Sequence, residues 1–261
     1  MDFVLKGKTA LVLGGGGGLG RAIAKSLAAE GANVAVAGIG STSIDAALGE
    51  LKETGGKSLG LIWDLADLSV IDANISKIEA ELGPVDILIN NTGGPPPSSA
   101  VGADPALWAK QFQAMVLSVI AITDRVLPCM KARGWGRIIT NTSSGVIAPI
   151  PNLAISNALR MSLVGWSKTL AREVAKDGIT ANIVVPGRIA TARVATLDNA
   201  RAKREGRSVE EVAAESAASI PIGRYGKPEE YADVVAFLAS TRAAYITGSV
   251  IRVDGGMITS I

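Results

Sequence analysis

The chain has 261 residues, 48% of them hydrophobic but only 4% aromatic, with 30 glycines, a composition that suits one domain whose core is Val, Ile, Leu and Ala packed as in a doubly covered parallel sheet. Lys and Arg total 26 against 24 Asp and Glu, and the resulting charge of +2 is too small and too scattered for a nucleic-acid footprint. Histidine is absent and cysteine occurs once, at Cys129, which excludes Ser–His hydrolases, histidine-built zinc sites and an internal disulfide, so no metal is expected.

In chain order, short β-branched runs alternate with longer helical ones. "TALVLG" precedes a helix over Arg21 to Ala29, "NVAVAG" precedes Ser43 to Lys52, and "KSLGLIWD" precedes Ser69 to Leu82. "VDILIN" leads to a long segment from Pro105 to Met130, and "GRIITNTS" to a helix from about Ser156 to Ala175. "TANIVVPG" comes next, and after a helix from Pro228 to Ala239 the series closes with "GSVIRVDGG". Strands separated by helices of this length imply right-handed crossovers and an α/β, Rossmann-type, doubly wound sheet that is mostly parallel, with helices on both faces. No linker interrupts the series, so residues 1–261 are expected to form a single domain. The charged segment 192–220 interrupts the strand-helix alternation, and Ser208 with Glu211 has capping-box spacing. Two readings stay open for it, a solvated amphipathic insertion or a lid over a substrate pocket.

No basic region followed by an apolar one opens the chain, which predicts a cytoplasmic protein. Apolar stretches such as Met115 to Thr123 fall short of the roughly 20 residues that span a bilayer, so no membrane partner is expected.

"LVLGGGGGLGRAIA" runs from a strand through glycines straight into a helix, the arrangement by which backbone N–H groups and a helix N-terminus meet a pyrophosphate. Gly14, Gly18 and Gly20 fit a G-x-x-x-G-x-G spacing. The end of the second strand, "VAVAGIGSTS", offers no Asp or Glu for a ribose 2′-hydroxyl, so the expectation leans to NADP over NAD, with Arg21 and Ser41 to Ser43 nearby.

These features together resemble the short-chain dehydrogenase/reductase family, nearest to its 3-oxoacyl-acyl-carrier-protein reductase-like members. The resemblance covers essentially the whole chain. It rests on the glycine loop, Asp64 in "WDLAD", "NNTG" at Asn90 to Gly93, "PG" at Pro186 and Gly187 with Thr191 after it, and "GKPEEYADVVAFLAS" with "YITGSVIRVDGG". It implies a dinucleotide site made of Gly14, Gly16, Gly17, Gly18, Leu19, Gly20 and Arg21, Asp64 and Leu65, Asn91, Thr92 and Gly93, Arg160, and Pro186, Gly187, Ile189 and Thr191.

In the family a Ser, a Tyr and a Lys four residues later carry the reaction, and an Asn on the preceding long helix completes a proton relay. Here the resemblance assigns Ser143 to the serine, Ser156 to the Tyr position, Arg160 to the Lys position and Met115 to the Asn position. A serine hydroxyl is a far weaker acid than a phenol, and a guanidinium binds anions and ribose hydroxyls but does not relay protons. Ser156 and Arg160 are spaced i, i+4 and share a helix face.

The function expected is an NAD(P)-dependent oxidoreductase acting on a carbonyl or hydroxyl small molecule, with Ser143, Ser156 and Arg160 at an atypical proton-transfer site. A non-catalytic NAD(P)-binding sensor or partner subunit is the alternative. A Ser/Arg lyase resembling the halohydrin dehalogenases is the third. Family members pair their long helices, so the segments starting near Pro105 and Ser156 predict a homo-oligomer, a tetramer.

Overall fold

The structure is a computed structural model that describes residues 2–261. Seven parallel strands, β1 Thr9–Leu13, β2 Asn33–Gly38, β3 Ser58–Ile62, β4 Ile87–Asn90, β5 Gly136–Asn141, β6 Ile179–Pro186 and β7 Val250–Val253, lie in the order β3-β2-β1-β4-β5-β6-β7. Each strand feeds a crossover of helical length, and the order reverses between β1 and β4, the point where ligands bind in open α/β sheets.

Strand alternation divides the core. Ala10 and Val12 of β1, Val34 and Val36 of β2 and Val184 of β6 pack on one face, against α1 Gly18–Ala29, α2 Ser41–Leu51 and α9 Pro228–Ala239. Leu11 and Leu13, Ala35 and Ala37, Leu88 and Ile138 face the other way, against α3 Ile71–Leu82, α5 Ser118–Arg133 and α6 Ala154–Val174. With both faces covered, strands read as continuous apolar runs, which is why β1, β4 and β5 are buried at every position.

Before α5 come α4 Pro105–Phe112, opened by Asp104 accepting from the Ala106 N–H, and a π-helical turn at Gln113–Leu117. Together they make one helix from Pro105 to Arg133, 29 residues long and, by length and composition, apolar enough to cross a membrane. The apolar run is thus longer than the sequence reading allowed. Here Ile122, Val126 and Met130 are buried on the sheet and Val119 against α6, and Arg125 reaches Asp72 at 2.6 Å and Glu79 at 3.0 Å on α3.

The segment after β6 folds as two helices, α7 Ala192–Glu205 and α8 Val209–Ala218. The capping box forms as expected, with Ser208 Oγ accepting from the Glu211 N–H and the Glu211 carboxylate accepting from the Ser208 N–H. Asp198 of α7, only 3% exposed, anchors this pair by accepting from the Arg188 guanidinium and from the Tyr225 hydroxyl at 2.8 Å.

Candidate functional site

The loops leaving β1, β4, β5 and β6 build the site, on the side where the C-terminal ends of these strands meet. After β1 the backbone turns through Gly14, whose φ is +60°, and Gly18, whose φ is +53°, conformations that residues with a Cβ adopt at a cost. A Cβ on Gly14 would lie 2.6 Å from the Asn91 carbonyl oxygen, and one on Gly20 would collide with the Gly14 carbonyl. A Cβ on Gly17 would meet nothing within 4 Å, so Gly17 faces open space at the mouth of the loop. Gly17 is also the N-cap of α1 and offers no side-chain cap, leaving the first-turn N–H groups of that helix for a ligand. The helix starts at Gly18, three residues before the sequence expectation, because the tight approach of Gly20 to Gly14 needs those glycines inside the first turn.

Asn91 Nδ2 donates to the carbonyls of Leu13 and Gly14 at 3.1 and 3.5 Å, so its side chain braces the glycine loop. Asn141 Nδ2 donates to Asn91 Oδ1 at 3.3 Å, and the buried Tyr231 hydroxyl lies 3.0 Å from Asn141 Oδ1 and 3.2 Å from the Val184 carbonyl. Burial holds the Tyr231 phenol well above its usual pKa against the opposing field of Arg160, so it serves as a neutral brace. Sequence reasoning passed over Tyr231. The only signal was a tyrosine in an otherwise aliphatic helix face.

Arg21 points inward. Its Nε donates to the Gly16 carbonyl at 3.0 Å, a terminal nitrogen donates to the Ser43 carbonyl at 3.2 Å, and the other lies 3.4 Å from Glu50. It therefore clamps the loop to α2. Asp64 is exposed, with Oδ1 accepting from the Ala66 N–H at 2.9 Å, and Leu65 beside it is half-buried. Leu19 is half-buried against the core of the α1 face.

Arg160 is 8% exposed and donates to three backbone carbonyls, Asn141, Thr92 and Gly93, each at 3.2 Å. Those carbonyls belong to the end of β5 and to the loop leaving β4, so the guanidinium ties that loop to β5. Burial, and secondarily the positive charge of Arg193, lower its pKa to about 10, which still leaves it charged at neutral pH. Ser156, one turn earlier on the same face, is 7% exposed and makes no hydrogen bond through its hydroxyl among the described residues. Ser143 is half-buried with extended backbone, and its Oγ accepts from the Gly145 N–H at 3.1 Å, which leaves its own proton to donate. Met115 sits in the π-helical turn, buried beside Ile155 and Leu159; such turns recur at functional sites.

Thr92 is 9% exposed and its Oγ1 has no partner among the described residues, while Gly93 is exposed with space around it. On the β6 side, Pro186 ends the strand and Gly187 packs against Asp254, where a Cβ would lie 2.6 Å from the Asp254 Cα. The Ile189 side chain enters the core. Thr191 caps α7 and lies beside Gly18, 3.8 Å from where its Cβ would stand. The structure therefore sets Arg160 against the Thr92 and Gly93 carbonyls and Thr191 beside Gly18 of the glycine loop, with Ser156 one turn before Arg160 on α6 and Ser143 following β5, while Arg21, Asn91, Gly187 and Ile189 turn their side chains or their packing surfaces into the protein.

A glycine cradle at the sheet's switch point, running into an uncapped helix, defines a Rossmann-type dinucleotide-binding protein. The family model described as enoyl-(acyl carrier protein) reductase matches residues 15–258, and the chain belongs to the short-chain dehydrogenase/reductase family. It is 40% identical over 256 residues to the 3-oxoacyl-[acyl-carrier-protein] reductase FabG of Escherichia coli (strain K12), covering 97% of this chain and 98% of that one. It is 35% identical over 259 residues to the D-beta-hydroxybutyrate dehydrogenase of Cupriavidus necator, covering 98% and 99%. Among solved structures, the L-sorbose reductase of Gluconobacter frateurii, complexed with NADPH and L-sorbose, superposes with a TM-score of 0.94 at 33% identity over the full length of both chains.

Proposed function

We propose that this protein is an NAD(P)-dependent reductase or dehydrogenase of a small molecule bearing a carbonyl or hydroxyl group. The observation that carries the reading is the cradle of Gly14 to Gly20, in which the exposed Gly17, with open space where a Cβ would stand, lies at the free N-terminus of α1. A Cβ-free surface backed by unpaired N–H groups matches a pyrophosphate. In this reading Asp64, exposed after β3, accepts from the adenine amino group, and Thr92, Gly93 and Thr191 carry further contacts to the cofactor. When bound, a nicotinamide supplies or accepts the hydride.

The remaining work falls to this chain's own groups. Ser143 donates its hydroxyl proton in a hydrogen bond to the substrate oxygen, since its lone pair is already engaged by Gly145. Ser156 stands at the position of the family's Tyr and offers a second hydroxyl. Neither is acidic enough to be the general acid at neutral pH, so the proton comes from water or the substrate itself. Arg160, at the family's Lys position, holds the loop leaving β4 to β5 and adds positive charge behind the reacting oxygen.

NADP is favoured over NAD because the end of β2 carries no carboxylate and the first turn of α2 has neither an acidic residue nor a side-chain cap, a setting that accepts a 2′-phosphate. Residues 1–261 act as one domain in which 192–220 serve as the substrate lid. The assembly is a homotetramer, supported by Phe112, Leu117 and Met161, exposed on the two long helices. The single unpaired Cys129 accords with a cytoplasmic site of action.

Fluorescence titration with NADPH, followed by turnover on a panel of ketones and aldehydes, tests the reading. Binding with turnover supports it. Binding without turnover on any carbonyl supports instead a dinucleotide sensor, a second reading favoured by the wholly backbone-directed contacts of Arg160. Absence of binding overturns both and leaves the Ser/Arg lyase.

A further inference from the structure

The loop after β4 is gripped by two arginines, one from α6 and one from α7. Arg160 of α6 donates to the carbonyls of Thr92 and Gly93, and Arg193 of α7 lays its guanidinium against Gly94 and donates to the Pro95 carbonyl at 2.8 Å. A Cβ on Gly94 would stand 3.0 Å from an Arg193 terminal nitrogen, so this glycine makes room for the guanidinium plane.

Every acceptor these two side chains find is a backbone carbonyl, and no carboxylate pairs with either among the described residues. Burial and the charge of Arg193 lower the Arg160 pKa, and burial lowers that of Arg193. Two cations thus stand in each other's field with only carbonyl dipoles to offset them. Arg193 also sits in the first turn of α7, where the helix dipole opposes a positive charge. Helix stability alone does not account for an arginine there.

The position is nonetheless built. Thr191 caps the same turn, and the buried Asp198, bonded to Arg188 and Tyr225, fixes α7 in place. Arg193 is exposed as a residue although its guanidinium is partly buried against the loop, its other guanidinium donors have no partner among the described residues, and the buried Thr92 Oγ1 of the same loop has none either.

We infer that Arg193 is the specificity-determining residue of this site, binding the carboxylate of an oxo- or hydroxy-acid substrate with Arg160 supplying a second positive charge behind the loop. The planar fork of a guanidinium matches a carboxylate bidentately. The inference rests on the reductase reading for the reaction but not for the binding of the anion.

The test compares matched acid and ester pairs, levulinate with methyl levulinate and acetoacetate with methyl acetoacetate, under NADPH. Wild type is expected to favour the acid in kcat/KM by at least about tenfold, the usual scale of a charge-assisted hydrogen bond. Arg193→Gln removes that preference by raising KM for the acid at near-constant kcat, so that acid and ester converge in kcat/KM, and Arg193→Lys restores part of it. In parallel, calorimetry on the NADP+-loaded protein measures levulinate binding in a dead-end complex that needs no turnover. Levulinate binding lost in Arg193→Gln, with no carbonyl ever reduced, sustains the anion site and sinks the reductase reading. Equal use of acid and ester, absence of any acid binding, or a variant that weakens NADP+ as much as levulinate overturns the inference, the last by making Arg193 a cofactor contact.

Discussion

The Tyr231 hydroxyl lies 3.0 Å from Asn141 Oδ1, wholly buried, and so connects α9 to the end of β5, where the Asn141 backbone carbonyl receives Arg160 and its Nδ2 reaches Asn91. Asn91 in turn holds the Gly14 carbonyl. Tyr231→Phe keeps the ring packing and deletes the donor, so it is expected to cost about 1–2 kcal/mol of stability, the scale of one buried hydrogen bond. Because the chain of contacts ends on the glycine loop, NADPH affinity should weaken a few-fold as well. Thermal melts and fluorescence titration check both, and a stable variant with unaltered affinity would show that the loop does not depend on this brace.

The glycines separate folding from binding. Gly20→Ala places a methyl group against the Gly14 carbonyl, so it should lower Tm and abolish dinucleotide binding together. Gly17→Ala meets nothing within 4 Å, so Tm should stay within a degree or two while NADPH affinity falls by about tenfold or more, since the methyl enters the space a pyrophosphate needs. Equal affinity in Gly17→Ala would place the phosphates elsewhere.

Arg160 gives a pH dependence with a definite sign. In the unfolded chain its guanidinium keeps its proton to a higher pH than in the fold, where burial brings its release down to about 10. Between those values the unfolded state binds more protons, so this group's contribution to stability rises with pH. Compared with Arg160→Met, which cannot titrate, the wild type should gain relative stability as pH moves upward through about 10, measured by chemical denaturation. A flat difference would mean that the buried charge is better compensated than its three carbonyl partners indicate.

Restoring the family's side chains tests the atypical site. Ser156→Tyr with Arg160→Lys should raise NADPH-dependent reduction of simple ketones, up to the 10²–10⁴-fold that a general acid is typically worth. Adding Met115→Asn should raise it further, at a cost in stability of about 1–3 kcal/mol for a polar group placed at a 1%-exposed position. Stopped assays with variants that still bind NADPH decide the matter. A wild type already fast on plain ketones would show that another acid is present.

Light scattering at micromolar concentration is expected to give a tetramer, and Leu117→Glu with Met161→Glu, both on exposed positions, should shift it toward smaller species without lowering helix content. A monomeric wild type removes the proposed assembly.

The sequence by itself determined the sheet, the order of its elements and the place of the nucleotide loop, because these depend on local periodicity and on glycines whose backbone conformations no other residue adopts cheaply. Ser143, Ser156 and Arg160 were picked out only through the resemblance to the family; Ser156 and Arg160 stand one turn apart on α6, and Ser143 follows β5. Which way each side chain turns was not legible. Arg21, expected to face a 2′-phosphate, is drawn inward by Gly16, Ser43 and Glu50, partners far apart in the chain. Arg193 reads in the sequence as one charge in a solvated helix, and only the docking of α7 on the loop after β4 brings it beside Arg160. The physical reason is the same in both cases: a guanidinium on a long flexible stem goes where buried carbonyls and carboxylates need donors, and those acceptors are brought together by sheet topology rather than by neighbouring residues.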